Sequence, residues 1–311
     1  MPAPAPLLLA DIPWLLYRSF FALPSSITDA RGRSVNALLG TVNALLNVID
    51  SRPPDARVRC VVGCTGAEEA AYRVALYSPY HAHREPMPAE LRRQWDLAPE
   101  LLQALGWVVE TSANLEADDV MFSLAREEEA AKGRALLFTG DRDLYGAVSE
   151  AVSVVEVKKG GAVHELGVEQ VRERYGVEPA QVADFIALRG DPSDGLPGAR
   201  GIGAKTAAAL LAEHGSLNAV LEAAHDLVSG IDLAARVKRG GGAMSARAAA
   251  ALVEQEPLLR AFGEIATLQR IDVARPADAQ TDYASGARAA REHGMERLAK
   301  RLEGLAATAT A

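Results

Sequence analysis

The sequence predicts an α/β fold, with a mainly parallel central sheet carrying helices on both faces and an all-helical part after it. Three observations carry this reading. Short apolar runs at residues 7–10, 57–63, 107–110, 135–139 and 152–157 have the length and composition of buried strands. Helical patterns, notably at 88–105 and 116–131, alternate with them, which is the signature of parallel strands joined by crossover helices. After about residue 167 the strands give out and helices closed by Gly or polar breaks follow one another to the end.

Taken in order, LLLA (7–10) ends at Asp11 and an amphipathic segment runs from Trp14 to Leu23, followed by a turn-rich stretch from Pro24 to Arg33. Ser34 is the expected N-cap of a helix over 35–50, which Pro53-Pro54 stops. The domains expected are an α/β part over 1–166, a helical part over 167–290, and a C-terminal helix and tail over 291–311 whose alanine-rich end frays. Gly240–Gly242, flanked by Arg236, Lys238, Arg239 and Arg247, reads as a solvated connection basic enough to touch a phosphate.

With 311 residues, 49% hydrophobic and 24% charged, the chain has ample core material, which excludes disordered, collagenous and coiled-coil classes. No apolar run approaches the ~18 residues of a membrane span, and no basic start marks a secretory signal, so a cytoplasmic protein without membrane association is expected. Cys60 and Cys64 are too few for a disulfide scaffold or zinc site and read as small buried hydrophobes. The net charge of −8, taken alone, argues against a nucleic-acid partner.

Ligand sites in open α/β sheets lie at the carboxyl ends of the strands. Acidic residues gather there: Asp11 after the first run, Glu116, Asp118 and Asp119 after the third, Asp141 and Asp143 after the fourth, with Asp191 and Asp194 joining from the helical part. Singly, Asp118 and Asp119 suit a helix N-terminus and the other aspartates suit turns. Jointly they would repel one another unless cations share the space, and oxygen ligands without His or Cys point to magnesium or manganese, with enough groups for two ions. Setting these eight carboxylates aside leaves the rest of the chain neutral, which weakens the objection to nucleic acid. A second motif, LPGARGIGAKTAAALL (196–211), places two glycines around Ile202 in a tight turn between helices. Its backbone groups can meet a phosphate directly or through a monovalent cation such as K⁺, while Arg200 and Lys205 add charge.

The series LEADD, TGDRDLY, GDPSDGLPG and GARGIGAKTA, with YRSFFALPSSITDARGRSVNALLG and YHAHREPMP, resembles the 5′→3′ exonuclease and flap endonuclease family, which includes the 5′-nuclease domain of bacterial DNA polymerase I. The resemblance spans about residues 7 to 270 and looks like a stand-alone member. It implies a resolvase-like (PIN-like) sheet, a helical arch at about 67–88, a helix-hairpin-helix DNA-binding part, and two-metal hydrolysis of DNA near free 5′ ends, flaps or nicks by a monomer. The resemblance assigns Asp11, Glu116, Asp118 and Asp119 to a first Mg²⁺, and Asp141, Asp143, Asp191 and Asp194 to a second, with Mn²⁺ able to substitute. It also implies that Arg73 and Arg84 clamp the scissile phosphate and that Tyr17 and Arg18 meet a base and a phosphate. Arg200, Gly201, Ile202, Gly203, Lys205 and Thr206 would hold the duplex.

Three positions depart from the family pattern. Gly66 stands where an aspartate would end the second strand, His81 stands where the arch usually has a Lys and is the expected pH-sensitive DNA contact, and Ile12-Pro13 follow Asp11 in place of a small residue. Two functions are therefore open, a metal-dependent 5′-nuclease of reduced activity and a structure-specific DNA-binding protein descended from one. A ribonuclease with the same metal site is a more distant third.

Overall fold

Strand β1 (Leu7–Asp11) runs through the middle of the molecule with every residue buried. Successive side chains on a strand point to opposite faces, so Leu7 and Leu9 enter one hydrophobic core while Leu8 and Ala10 enter another. The structure, a computed structural model, describes residues 4–158, 162–230 and 244–309. In chain order β1 is followed by α1 (Ile12–Ala22), α2 (Asn36–Asp50), β2 (Cys60–Thr65), α3 (Ala71–Leu76), α4 (Ala89–Ala104), β3 (Val108–Thr111), α5 (Ala117–Ala130), β4 (Ala135–Phe138), β5 (Val152–Val157) and β6 (Val163–Leu166). The sheet order is β3-β2-β1-β4-β5-β6, parallel except for β6.

The sequence reading missed β6, whose exposed His164 and Glu165 leave too little apolar pattern. Its antiparallel pairing with β5, from Val154↔Leu166 to Val157↔Val163, makes it a strand. The second strand lies further along than the 57–63 expected, because pairing with β1 sets its register from Leu7↔Cys60 to Asp11↔Cys64. Both cysteines are free and buried.

Ser34 does not cap α2. Its hydroxyl turns to the Asn36 side chain (2.7 Å), and the cap position falls on Val35, which has no side-chain cap. The open N–H groups of Ala37 and Leu38 donate instead to the buried Gln94 of α4, at 2.8 and 3.2 Å. A long-range side chain has taken over the job of a local one.

The helical part contains α6 (Val168–Tyr175), α7 (Val182–Arg189), α8 (Ala204–His214), α9 (Leu217–Val228) and α10 (Ala246–Ala266). Its Phe185, Leu210, Val220 and Phe262 belong to the same hydrophobic cluster as Leu7 and Leu9, so sheet and helical part share one core. Each such fully buried side chain contributes about 1.5–3 kcal/mol. Between α7 and α8 the chain reverses tightly. A Cβ at Gly198 would sit 2.4 Å from the Arg189 and Gly190 backbone, and its φ is +69°, so only glycine fits that turn.

The chain then returns to the sheet. Arg59 donates to the Pro276 carbonyl (2.8 Å) and Trp107 to Thr281 (2.9 Å), fixing the extended segment that leads to α11 (Tyr283–Glu292) and α12 (Glu296–Ala309). Met295, Leu298, Ala299 and Leu302 are buried in the second core, and Arg301 binds Asn43, Asn47 and Asp50 of α2 at 2.8–2.9 Å. The C-terminal segment expected to fray is thus, through Ala309, a packed part of the α/β layer. Gly240–Gly242 with Arg236, Lys238 and Arg239 lie outside the described residues, and Arg247 stands in the first turn of α10. Among the described residues no helix is long and apolar enough to cross a membrane.

Candidate active site

The carboxyl ends of β1, β3 and β4 open on a cleft of about 610 Å³. Asp11, at the end of β1, is also the N-cap of α1. One carboxylate oxygen accepts from the Trp14 N–H (2.9 Å), and the other accepts from the Thr139 hydroxyl (2.7 Å) beyond β4. Thr139 in turn accepts from the Asp141 N–H (2.9 Å), and Asp141 accepts from the Asp143 N–H (3.0 Å). This chain of bonds fixes three aspartates relative to the sheet. Asp118, in the first turn of α5, faces them across the cleft.

Burial pushes the Asp11 carboxyl up to about 6, against the Trp14 and Thr139 hydrogen bonds and with help from the Asp141 charge. Asp141 is likewise pushed up to about 6, first by burial and then, beyond its Asp143 hydrogen bond, by the charges of Asp194 and Asp191. Asp118 and Asp143 lie well above the usual carboxylate range because burial and the surrounding aspartates act together. Among the described residues no ion pair engages Asp11, Asp118, Asp141 or Asp143.

Glu116 and Asp119 are treated differently. The Arg73 guanidinium, 4% exposed, pairs with Glu116 (3.0 Å) and Asp119 (3.0 Å) and donates to the Ile265 carbonyl (3.1 Å). Burial works against the Arg73 charge, but these carboxylates more than compensate and raise its pKa above the usual guanidinium value. Asp119 also accepts from the Gln269 N–H (2.7 Å), is fully buried, and stands outside the cleft lining. Glu116 accepts from the Ala70 N–H (2.9 Å) and the Tyr80 hydroxyl (3.2 Å). Arg73 is therefore a clamp on carboxylates of its own chain, and the exposed cation at the cleft from the expected arch is Arg84.

The remaining expected residues fall as follows. Asp194 lines the cleft and binds His81 (3.0 Å) and Arg84 (3.2 Å), whereas Asp191 accepts from the Ser193 N–H (2.8 Å) to shape its own turn and lies outside the lining. His81 is 2% exposed, so it is not the open phosphate contact expected from its position. Tyr17 lines the cleft, while Arg18 lies over the Trp14 ring at 5.4 Å. In the hairpin, Gly201, Gly203 and Lys205 are exposed, Thr206 is half-buried and Ile202 is buried as the anchor. Arg200 pairs with Glu254 (2.8 Å), and its N–H donates to Gln255 (2.8 Å).

Gly66 has no room for any side chain. A Cβ there would meet the Leu115 carbonyl oxygen at 2.4 Å and the Glu116 carbonyl carbon at 2.7 Å. The neighbouring Ala67 N–H donates to that same Leu115 carbonyl (2.9 Å), so the backbone after β2 lies directly on the start of α5. Of the nearby acids, Glu68 pairs with Arg92, and Glu69 lines the cleft.

The sequence reading missed an aromatic wall. Trp14, Tyr17 and Phe21 fall at i, i+3 and i+7 of α1 and line the cleft, with Trp95 of α4 also in the lining. The stripe is visible in the sequence, but its spacing is equally that of a core-facing helix, and only the 70% exposure of Phe21 separates the two.

An all-oxygen set of buried carboxylates without counter-ions fits a hard divalent cation. In the arrangement described, no three His, Cys, Asp or Glu side chains are gathered tightly enough to hold an ion, so ligation involves side-chain rotation or bridging water.

Comparison with known proteins agrees with this geometry. A family model described as 5'-3' exonuclease, N-terminal resolvase-like domain, matches residues 6–176, and one described as 5'-3' exonuclease, C-terminal SAM fold, matches 177–282. A 5'-3' exonuclease of Mycobacterium tuberculosis is 39% identical over 242 residues, covering 71% of this chain and 74% of the relative. DNA polymerase I of Mycobacterium leprae is 38% identical over 218 residues, 70% of this chain, but the chain spans only 24% of that protein's length. Among solved structures, a bacteriophage T5 flap endonuclease in complex with DNA and metal ions superposes with a TM-score of 0.60 at 18% identity, covering 96% of this chain and 98% of that one. The catalytic core of Rad2 in complex with DNA substrate gives 0.60 at 14% identity, covering 96% and 93%. The two family models follow one another without a gap, and the chain belongs to the 5'-3' exonuclease family.

Proposed function

We propose that the protein hydrolyses DNA phosphodiesters near free 5′ ends, flaps or nicks, with two divalent cations, Mg²⁺ or Mn²⁺, held in the cleft. The observation that carries this reading is the set of four buried aspartates, Asp11, Asp118, Asp141 and Asp143, lining one cleft with no cation of the chain paired to them. Asp11, Glu116 and Asp118 are the ligand group on one side, and Asp141, Asp143 and Asp194 the group on the other. Asp119 acts behind them by fixing Arg73, and Asp191 by adding negative potential. The ions supply charge neutralisation of the phosphate and activation of the attacking water.

The chain's own residues bind and orient. Arg84 faces the cleft and is placed to meet the phosphate beside the scissile bond, and Tyr17 offers a ring to an unpaired base. The Gly201–Gly203 turn, with Lys205, presents backbone and charge to the duplex backbone, directly or through K⁺. Relatives and structural neighbours described as exonucleases and flap endonucleases, some with DNA and divalent metal, support the same activity. A cytoplasmic monomer fits this role.

One observation favours a second reading, DNA binding without turnover: the closed backbone at Gly66 denies the first ligand group a member that the family pattern supplies. Turnover of a 5′-flap and a 5′-recessed duplex with Mg²⁺ and with Mn²⁺ separates the two. Cleavage that Asp141→Ala abolishes supports the nuclease. Tight flap binding with no product in either metal establishes the binding protein.

A further inference from the structure

We infer that His81 is a positioning residue for Asp194: it holds one carboxylate oxygen so that the other is presented to a divalent cation in the cleft. The inference rests on the metal centre proposed above and concerns how this chain builds it.

Four observations converge on this pair. His81 is buried at 2% exposure, and its Nε2 lies 3.0 Å from Asp194 Oδ1. Its backbone N–H donates to the Asp194 carbonyl (3.2 Å), so two bonds join the same two residues, 113 positions apart in the chain. The ring stacks on Tyr80 at 3.8 Å between centroids, with 23° between planes. The backbone at His81 is left-handed (φ +54°), a conformation that a non-glycine residue keeps only where its surroundings hold it.

The protonation pattern follows from the partners. Nδ1 is buried with no hydrogen-bond partner. A hydrogen there would be an unmet buried donor, whereas the tautomer carrying its hydrogen on Nε2 donates to Asp194 and leaves only a lone pair unmet. No ring nitrogen then remains to donate to a phosphate. Arg84 adds a second bond to the same Asp194 Oδ1 (3.2 Å). Oδ2 has no hydrogen-bond partner among the described residues, and Asp194 lines the cleft with Asp141 and Asp143.

The residue before it does the matching job on the other ligand group, because the Tyr80 hydroxyl donates to Glu116 (3.2 Å). Consecutive residues of one turn thus hold carboxylates of both groups. Partners of this kind fix the direction of a ligand oxygen and typically change metal affinity by about 10–100-fold when removed.

The test is Mn²⁺ affinity of the full chain by calorimetry and electron paramagnetic resonance, with wild type, His81→Ala, His81→Gln and Asp194→Asn, alongside the salt dependence of flap binding without divalent metal. His81→Ala weakens one Mn²⁺ site about 10–100-fold, as Asp194→Asn does, and His81→Gln, whose amide reaches the same oxygen, recovers most of the loss. The slope of log Kd against log salt stays unchanged in His81→Ala and falls by roughly one counter-ion in Arg84→Ala. If His81→Ala does not fold, His81→Met, apolar and similar in volume, replaces it. Wild-type Mn²⁺ affinity in the folded donor-less variant, or a salt slope lowered like that of Arg84→Ala, overturns the inference while leaving the metal centre standing. A wild-type protein that binds no Mn²⁺ overturns both.

Discussion

Two groups of buried carboxylates in this molecule are handled in opposite ways by the chain around them. Glu128, on α5 and 0% exposed, is met by two arginines: Arg59 from just before β2, and Arg275 from the returning segment, at 2.9 and 3.1 Å. At the other end of the same helix, Asp118 sits with Asp11, Asp141 and Asp143 and has no cation of the chain beside it. The first arrangement balances charge internally and serves as a structural pin. The second leaves charge unbalanced, and the difference identifies where the molecule must recruit cations from solution. Arg73 marks the boundary, since it neutralises Glu116 and Asp119 and goes no further into the cleft.

Exchanging the two kinds of carboxylate should break the comparison most visibly. Asp141→Ala is expected to lower flap cleavage by roughly a hundredfold to a thousandfold, a few kcal/mol of lost transition-state stabilisation, while the metal-free melting temperature holds or rises because an unpaired buried charge is gone. Parallel turnover assays and metal-free melts check both halves. Glu128→Gln should do the reverse. Leaving Arg59 and Arg275 without their counter-charge is expected to cost about 3–5 kcal/mol in urea unfolding, with cleavage at low temperature largely retained.

Gly66→Asp sharpens the boundary between them. The new side chain would meet the Leu115 carbonyl, so the expected result is a loss of about 1–3 kcal/mol in stability with no gain in turnover, read by denaturation and flap assays. A gain in turnover at wild-type stability would show that the backbone at the start of α5 can give way.

The smallest effect is in pH dependence without metal. Asp11 and Asp141 titrate near 6 in the fold, above the ordinary value of 3.8, so each contributes stability that is fully present below the ordinary value and lost as pH rises through about 6. The metal-free melting temperature should therefore fall between about pH 5 and pH 7, and saturating Mg²⁺ should remove most of that fall. An equal fall with and without Mg²⁺ would separate these carboxylates from the metal.

Much of this was legible in the residues. The apolar runs of β1 to β5, the acids after them and the glycine turn around Ile202 are local patterns, set by side-chain period and by the few residues that tolerate a given turn. The family resemblance was legible for the same reason, since its motifs are short and continuous. What tertiary structure alone decided is which charges and caps find partners. Nothing local to Arg73 says that it binds Glu116 and Asp119, nor that His81 turns inward to Asp194 instead of outward. Gln94 capping α2, β6 joining the sheet edge, and α12 packing against α2 likewise depend on segments far apart in the chain. A sequence states which groups are available. Only the packed chain settles which are neutralised from within, and so which carboxylates are left for a metal.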